Sequence, residues 1–123
     1  MAISRKRDKD LTLLTVLGDT SFEELMDVIR EVYEKFTTKH LIYDFSHGTF
    51  VNASTENIKT ILQYVKKHGE VRKGGKTAYV GGEDYEFGML RMTEALAQIE
   101  GLPVNIEVFR SLDKAIQWVG KED

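Results

Sequence analysis

The chain has 123 residues, no cysteine, 41% hydrophobic and 30% charged residues, and a net charge of −3. These figures exclude disulfides, thiolate metal sites and a thiol nucleophile, and give no global electrostatic reason to bind nucleic acid. No apolar run approaches the roughly 20 residues that span a bilayer.

Met1 to Asp10 is charged and lacks an apolar signal core, so the expected compartment is the cytoplasm. The length suits one domain, residues 1–123, able to bury roughly two-thirds of the surface its unfolded chain exposes. Ile3 to Arg7 could form an antiparallel edge strand through a turn at Asp8-Lys9-Asp10, its charges protecting the edge. Leu11 to Leu17 is apolar and β-branched, stops at Gly18-Asp19, and reads as a strand. Thr20 or Ser21, with Glu23 or Glu24 three residues on, forms a capping box. The helix it opens carries Phe22, Leu25, Met26, Ile29, Tyr33 and Phe36 on one face.

Residues 40–46 read as a strand apolar enough to be buried on both sides. A helix starts near Ser54, with Ile58, Ile61, Leu62 and Val65 at helical spacing. Lys66, Lys67 and His68 complement its dipole, and Gly69 marks its end. Lys76 to Val80 is a strand ended by Gly81-Gly82. Tyr85, Met89, Met92, Leu96 and Ile99 mark a helix closed by Gly101, and read as its core face. Val104 to Phe109 is a further strand, and Ser111 caps a last helix through Leu112, Ala115, Ile116 and Val119, with Trp118 covering the core. The order βαβαβαβα predicts an α/β domain: a mixed, mostly parallel sheet of four to five strands with four helices.

In parallel sheets ligands gather beyond the carboxyl ends of the strands. Asp44 to Thr55 arrives there with an acid, a histidine and two serines. A triad would pair Ser46 or Ser54 with His47 and Asp44. The sequence has no G-x-S-x-G elbow, and Asp and Ser after a strand commonly close turns and cap helices. No enzyme activity is therefore expected. His40, His47 and His68 are too scattered for a metal set, and Gly81-Gly82 lacks the spacing and lysine of a phosphate loop; no cofactor is expected. The run Lys66 to Lys76 reads as a solvated helix end and loop at the amino ends of the strands.

Asp44-Phe45-Ser46, then Phe50-Val51, then Asn52-Ala53-Ser54-Thr55, resembles the central signature of STAS domains. Gly75 to Val80, Phe87-Gly88-Met89 with Arg91-Met92, and Val108 to Leu112 with Ala115 to Trp118 resemble the SpoIIAA-like (STAS/SEC14) branch. The resemblance runs from about Leu11 to Gly120. It implies a SpoIIAA-like fold and a non-enzymatic regulatory or protein-binding module. Its contact loop would hold Asp44, Ser46, His47, Asn52, Ser54 and Thr55. In anti-sigma factor antagonists the second serine of a D-S-S-G box is phosphorylated by a partner kinase, and this breaks the complex. That serine matches Ser54 by position, although the acid and the glycine of the box are absent here. The SEC14 side implies an alternative, a carrier of a small apolar ligand such as a fatty acid. Tyr64, Tyr85, Phe87, Met89 and Met92 would line its helix–sheet cavity. Small sheet domains of this type often pair as homodimers, but no sequence feature specifies a surface.

Overall fold

The computed structural model describes residues 3–51 and 53–121. Strands β1 (Ile3–Asp8), β2 (Leu11–Thr20), β3 (His40–Phe50), β4 (Lys76–Val80) and β5 (Asn105–Phe109) form one sheet in sequence order. β1 pairs antiparallel with β2, and every later pair is parallel. The sheet is the mixed, five-stranded case. Lys9, at φ 52°, makes the tight turn between β1 and β2.

Parallel neighbours added in one direction by right-handed crossovers place every connecting helix on the same face. Accordingly α1 (Phe22–Glu34), α2 (Thr55–His68) and α3 (Asp84–Glu100) share one face with the larger core, which holds Leu14, Val16, Leu41, Tyr43, Phe45 and Tyr79 from the strands. α4 (Leu112–Gly120) lies on the other face, where Ala115 and Val119 meet Ile42, Ala78 and Val80. β3 alternates between the two cores, which explains why Leu41 through Phe45 are all buried. Each buried aliphatic side chain contributes roughly 1.5–3 kcal/mol relative to exposure.

The helix ends follow local chemistry. Ser21 and Glu24 close a capping box on α1, and Ser54 and Ser111 cap α2 and α4 by accepting from Asn57 and Lys114 amides. Gly101 ends α3 in the left-handed region, where a side chain would be strained. After α2 the chain does not stop at Gly69 but runs on in a 3-10 turn, Gly69–Arg72.

Two sequence expectations are corrected here. The buried face of α3 is Glu86, Leu90, Thr93 and Ala97, while Tyr85, Met92 and Ile99 are exposed. Of the expected core face, Met89 and Leu96 do pack on the larger core, partly buried. The run Lys66 to Lys76 is not wholly solvated either. Arg72 is 1% exposed and Lys76 is buried.

Arg72 anchors the amino ends of the strands. Its Nε donates to the Thr38 and Lys39 carbonyls at 3.1 and 3.2 Å, one terminal nitrogen to the Tyr33 hydroxyl at 2.6 Å, and the other to the Lys76 carbonyl at 3.0 Å. A buried cation is costly unless it is hydrogen-bonded, and here each of the three guanidinium nitrogens has an acceptor. Lys76 Nζ reaches the Trp118 and Lys121 carbonyls at the end of α4, and its backbone amide donates to His40 Nδ1 at 2.9 Å. Burial, followed by the charges of Lys39, Arg72 and Lys76, holds the His40 imidazole below its ordinary pKa, with Asp10 opposing. Burial likewise pushes the Tyr33 hydroxyl up, against the lowering charge of Arg72.

Candidate functional site

The site is built where β2 and β3 outrun the rest of the sheet. β3 pairs with β4 only as far as Asp44, opposite Val80. Its pairing with β2 continues to Phe50, through an irregularity in which Thr15 faces Asp44 and Leu17 already faces His47. One residue of β2, Val16, therefore opposes Phe45 and Ser46 together, a bulge that re-aims the strand. Beyond it a two-stranded ribbon projects from the carboxyl end of the sheet.

Asp44 fixes the bend. Its Oδ1 accepts the Ser46 amide at 2.9 Å and the Ser46 hydroxyl at 2.6 Å. Gly48 permits the close approach of the strands, because a Cβ there would lie 2.5 Å from the Val16 carbonyl oxygen. Phe45 and Phe50 point into the core and hold the ribbon down. His47 is exposed, and so is Leu17, at 53%. The Val51 amide bonds to the Thr20 carbonyl at 2.9 Å, closing the ribbon. The chain then enters α2, with Ala53 packed on the core and Ser54, Thr55 and Glu56 exposed. Asn52 lies outside the described residues.

Next to this loop stand the β4–α3 turn and the β5–α4 turn. Ser46 lies 3.7 Å from where a Cβ on Gly82 would sit. Arg110 bonds to Asp84 at 2.7 Å and lies over the Phe87 ring at 4.1 Å. Acidic side chains occupy the first turn of every helix at this end, Glu23 and Glu24, Glu56, Asp84 and Glu86, and Asp113. They suit the helix dipoles and oppose binding of phosphate or nucleic acid.

The structure thus brings Asp44 and Ser46 into contact and sets His47, Ser54 and Thr55 along the same exposed stretch. It does not assemble the serine–histidine–aspartate set. Among the described residues no hydrogen bond joins His47 to Asp44, Ser46 or Ser54, and the Ser54 hydroxyl accepts from the Asn57 amide at 3.0 Å. No group of side chains among the described residues is arranged to hold a metal ion, and no helix among them is long and apolar enough to cross a membrane.

The five residues expected around a ligand cavity are dispersed. Tyr64 sits between α1 and α2, bonded to Glu34 and stacked on His68 at 4.3 Å. Tyr85 and Met92 face solvent, and Phe87 lies under Arg110. Met89 alone of the five lines the apolar cavity between helices and sheet, together with Leu25, Tyr43, Phe45, Ile58 and Tyr79. That cavity has about 30 Å³ of free space, the share of one water molecule and too little for an acyl chain. The sequence reading missed the β2–β3 overhang. Its signal is the continued β-compatible stretch past Ser46, ending in Phe50, with Gly48 where the strands crowd.

No family model matches the sequence, and neither does any curated protein. Solved structures do match the fold. An uncharacterized protein of the DUF3478 family with a SpoIIAA-like fold, from Shewanella loihica, is 17% identical with a TM-score of 0.57, over 96% of this chain and 92% of its own. The anti-sigma factor antagonist SpoIIAA in its unphosphorylated form is 11% identical with a TM-score of 0.56, over 96% and 97%. The Bacillus cell fate determinant SpoIIAA in its phosphorylated form is 12% identical with a TM-score of 0.59, over 96% and 99%. The fold of this chain is SpoIIAA-like.

Proposed function

We propose that this chain is a non-enzymatic, cytoplasmic regulatory module that works by docking a protein partner on the stretch from Ser46 to Thr55 and the first turn of α2. The observation that carries this reading is the β2–β3 overhang. It is rigidly based, through the bulge, Gly48 and Phe50, and among the described residues its outer side chains Leu17, His47, Ser54 and Thr55 make no side-chain hydrogen bond apart from the Ser54 cap. A rigid base with an exposed mixed polar and apolar tip suits recognition. The solved SpoIIAA structures are of an anti-sigma factor antagonist, one of them phosphorylated. By analogy, a phosphate on Ser54 would add nearly two negative charges beside Glu56 and alter the docking face.

The test is affinity capture from the host with the wild-type chain, Ser54→Asp and Leu17→Asp, followed by affinity measurement on the protein retained. The reading predicts one partner whose affinity falls at least about 10-fold in both variants, corresponding to roughly 1.4 kcal/mol. Equal affinity for all three chains would overturn it.

A further inference from the structure

The two edges of the sheet differ. β1 carries Arg5, Lys6, Arg7 and Asp8, all exposed. Charges at this density keep an edge from pairing with another chain. β5 has a single charged residue, Glu107, and neither lysine nor proline. The Asn105 amide donates to the Gly75 carbonyl at 2.9 Å, and the Phe109 carbonyl accepts from the Gly81 amide at 3.0 Å, so residues 105, 107 and 109 turn their main-chain groups toward β4. These groups alternate along a strand, and those of Ile106 and Val108 therefore point outward. Among the described residues no strand or side chain pairs with them. A groove of about 650 Å³ lies along this edge, with Gln98 and Gly101 on one side and Trp118 on the other.

Outward donors and acceptors on an open edge are complemented by another extended strand. β5 is such a strand, and its side chains decide how it can pair with itself. A two-fold, antiparallel pairing sets outward residues against outward ones. Centred on Glu107, it puts that carboxylate directly opposite its own copy, which is repulsive. Centred on Val108, it puts Glu107 opposite Phe109, with no hydrogen bond gained. Centred on Ile106, it puts Glu107 of each copy opposite Asn105 of the other, whose side-chain amide can donate to the carboxylate, and Val108 opposite Val104. Ile106 then meets Ile106 on the side of the larger core, and both polar pairs lie on the side of α4, with Phe109.

We propose that β5 pairs antiparallel with β5 of a second copy of this chain, Ile106 opposite Ile106, joining the two sheets into one. A strand of 5 residues, about 17 Å long, offers less than a standard interface, so the dimer is a weak, reversible one. This edge is separate from the docking stretch on β3 and α2.

Sedimentation of the full chain from about 1 µM to about 1 mM should show a reversible monomer–dimer transition. Over the same range the amides of Ile106 and Val108 should pass from fast to slow hydrogen exchange. Asn105 is exposed, so substitutions there are compatible with folding. Asn105→Glu opposes two pairs of carboxylates and should weaken the dimer at least about 5-fold, whereas Asn105→Lys sets an ammonium against each Glu107 and should tighten it about 3-fold. The chain has no cysteine, and residues 105 and 107 would form a non-hydrogen-bonded pair with Cα atoms about 4.5 Å apart, within reach of a disulfide. Mild oxidation of mixed Asn105→Cys and Glu107→Cys chains should therefore join residue 105 to residue 107 in preference to either like pair. A chain that stays monomeric throughout overturns the proposal. So do like-with-like crosslinks, or an Asn105→Lys chain that dimerises as poorly as Asn105→Glu. Protection of Ile106 and Val108 that appears only with the captured partner also overturns it, and would make a strand of that partner the occupant.

Discussion

At the amino ends of the strands, Arg72 is enclosed and donates to three carbonyls and a tyrosine hydroxyl from three parts of the chain. At the carboxyl ends, the Asp44 side chain accepts, among the described residues, only from the residue two places on, and the ribbon beyond it faces solvent. Both ends carry polar side chains on the same strands. They differ in where the hydrogen-bond partners lie. Long-range partners make the amino end a clamp on α1, the connection from α1 to β3, and β4, so substitution there acts on the whole fold. Local partners leave the outer side chains of the carboxyl end available to another molecule.

Substitutions can break this contrast. The largest expected effect is Arg72→Met. It removes the donors from a buried hydroxyl and three carbonyls and should cost about 3 kcal/mol, read as a fall in the urea midpoint. Arg72→Lys should recover little, because an ammonium lacks the planar fork. Gly48→Ala comes next, at about 2 kcal/mol. The new Cβ meets a backbone oxygen that can move only by opening the ribbon. Amide exchange should show that opening confined to residues 16–19 and 46–50. Ser54→Ala should cost about 1 kcal/mol, the usual loss of an N-cap. If Ser54→Ala destabilised as much as Arg72→Met, the two ends would not differ as described.

The smallest effect concerns pH. His40 accepts the Lys76 amide on Nδ1 and so must be neutral at that nitrogen in the fold. Its pKa is held below 6.5, first by burial and then by Lys39, Arg72 and Lys76. A depressed folded value means the unfolded chain takes up the proton first. The stabilisation is therefore complete above about pH 6.5 and is lost as pH falls below it. Melting temperature should decline between pH 7 and pH 5, and His40→Gln should flatten part of that decline.

Most of the element order could be read from the chain because capping and periodicity are local. Ser21 with Glu24, Ser54 and Ser111 each begin a helix for reasons contained within four residues. The edge strand at Ile3–Asp8 also follows local cues, its charges and the turn at Lys9. What the chain did not disclose depends on partners distant in sequence. Arg72 looks like its solvated neighbours Lys67 and Lys73 until Tyr33 and Thr38 are brought to it. Tyr85, Met92 and Ile99 look like a core stripe because periodicity reports that a face is apolar, not what covers it. At the candidate site, the Ser54 cap was visible, whereas the bulge and the overhang depend on the register between β2 and β3. The five expected cavity residues shared chemistry but not location, since Tyr64 belongs to the α1–α2 seam and Tyr85 to the outer face of α3.

The most direct measurement is amide hydrogen exchange of the full chain, alone and with the partner obtained by affinity capture. The account predicts new protection over residues 46–58 and at Leu17 to Asp19, with the amino-end residues around Arg72 slow to exchange in both states. Protection that appeared instead around Lys73 and Lys121, with residues 46–58 unchanged, would contradict it.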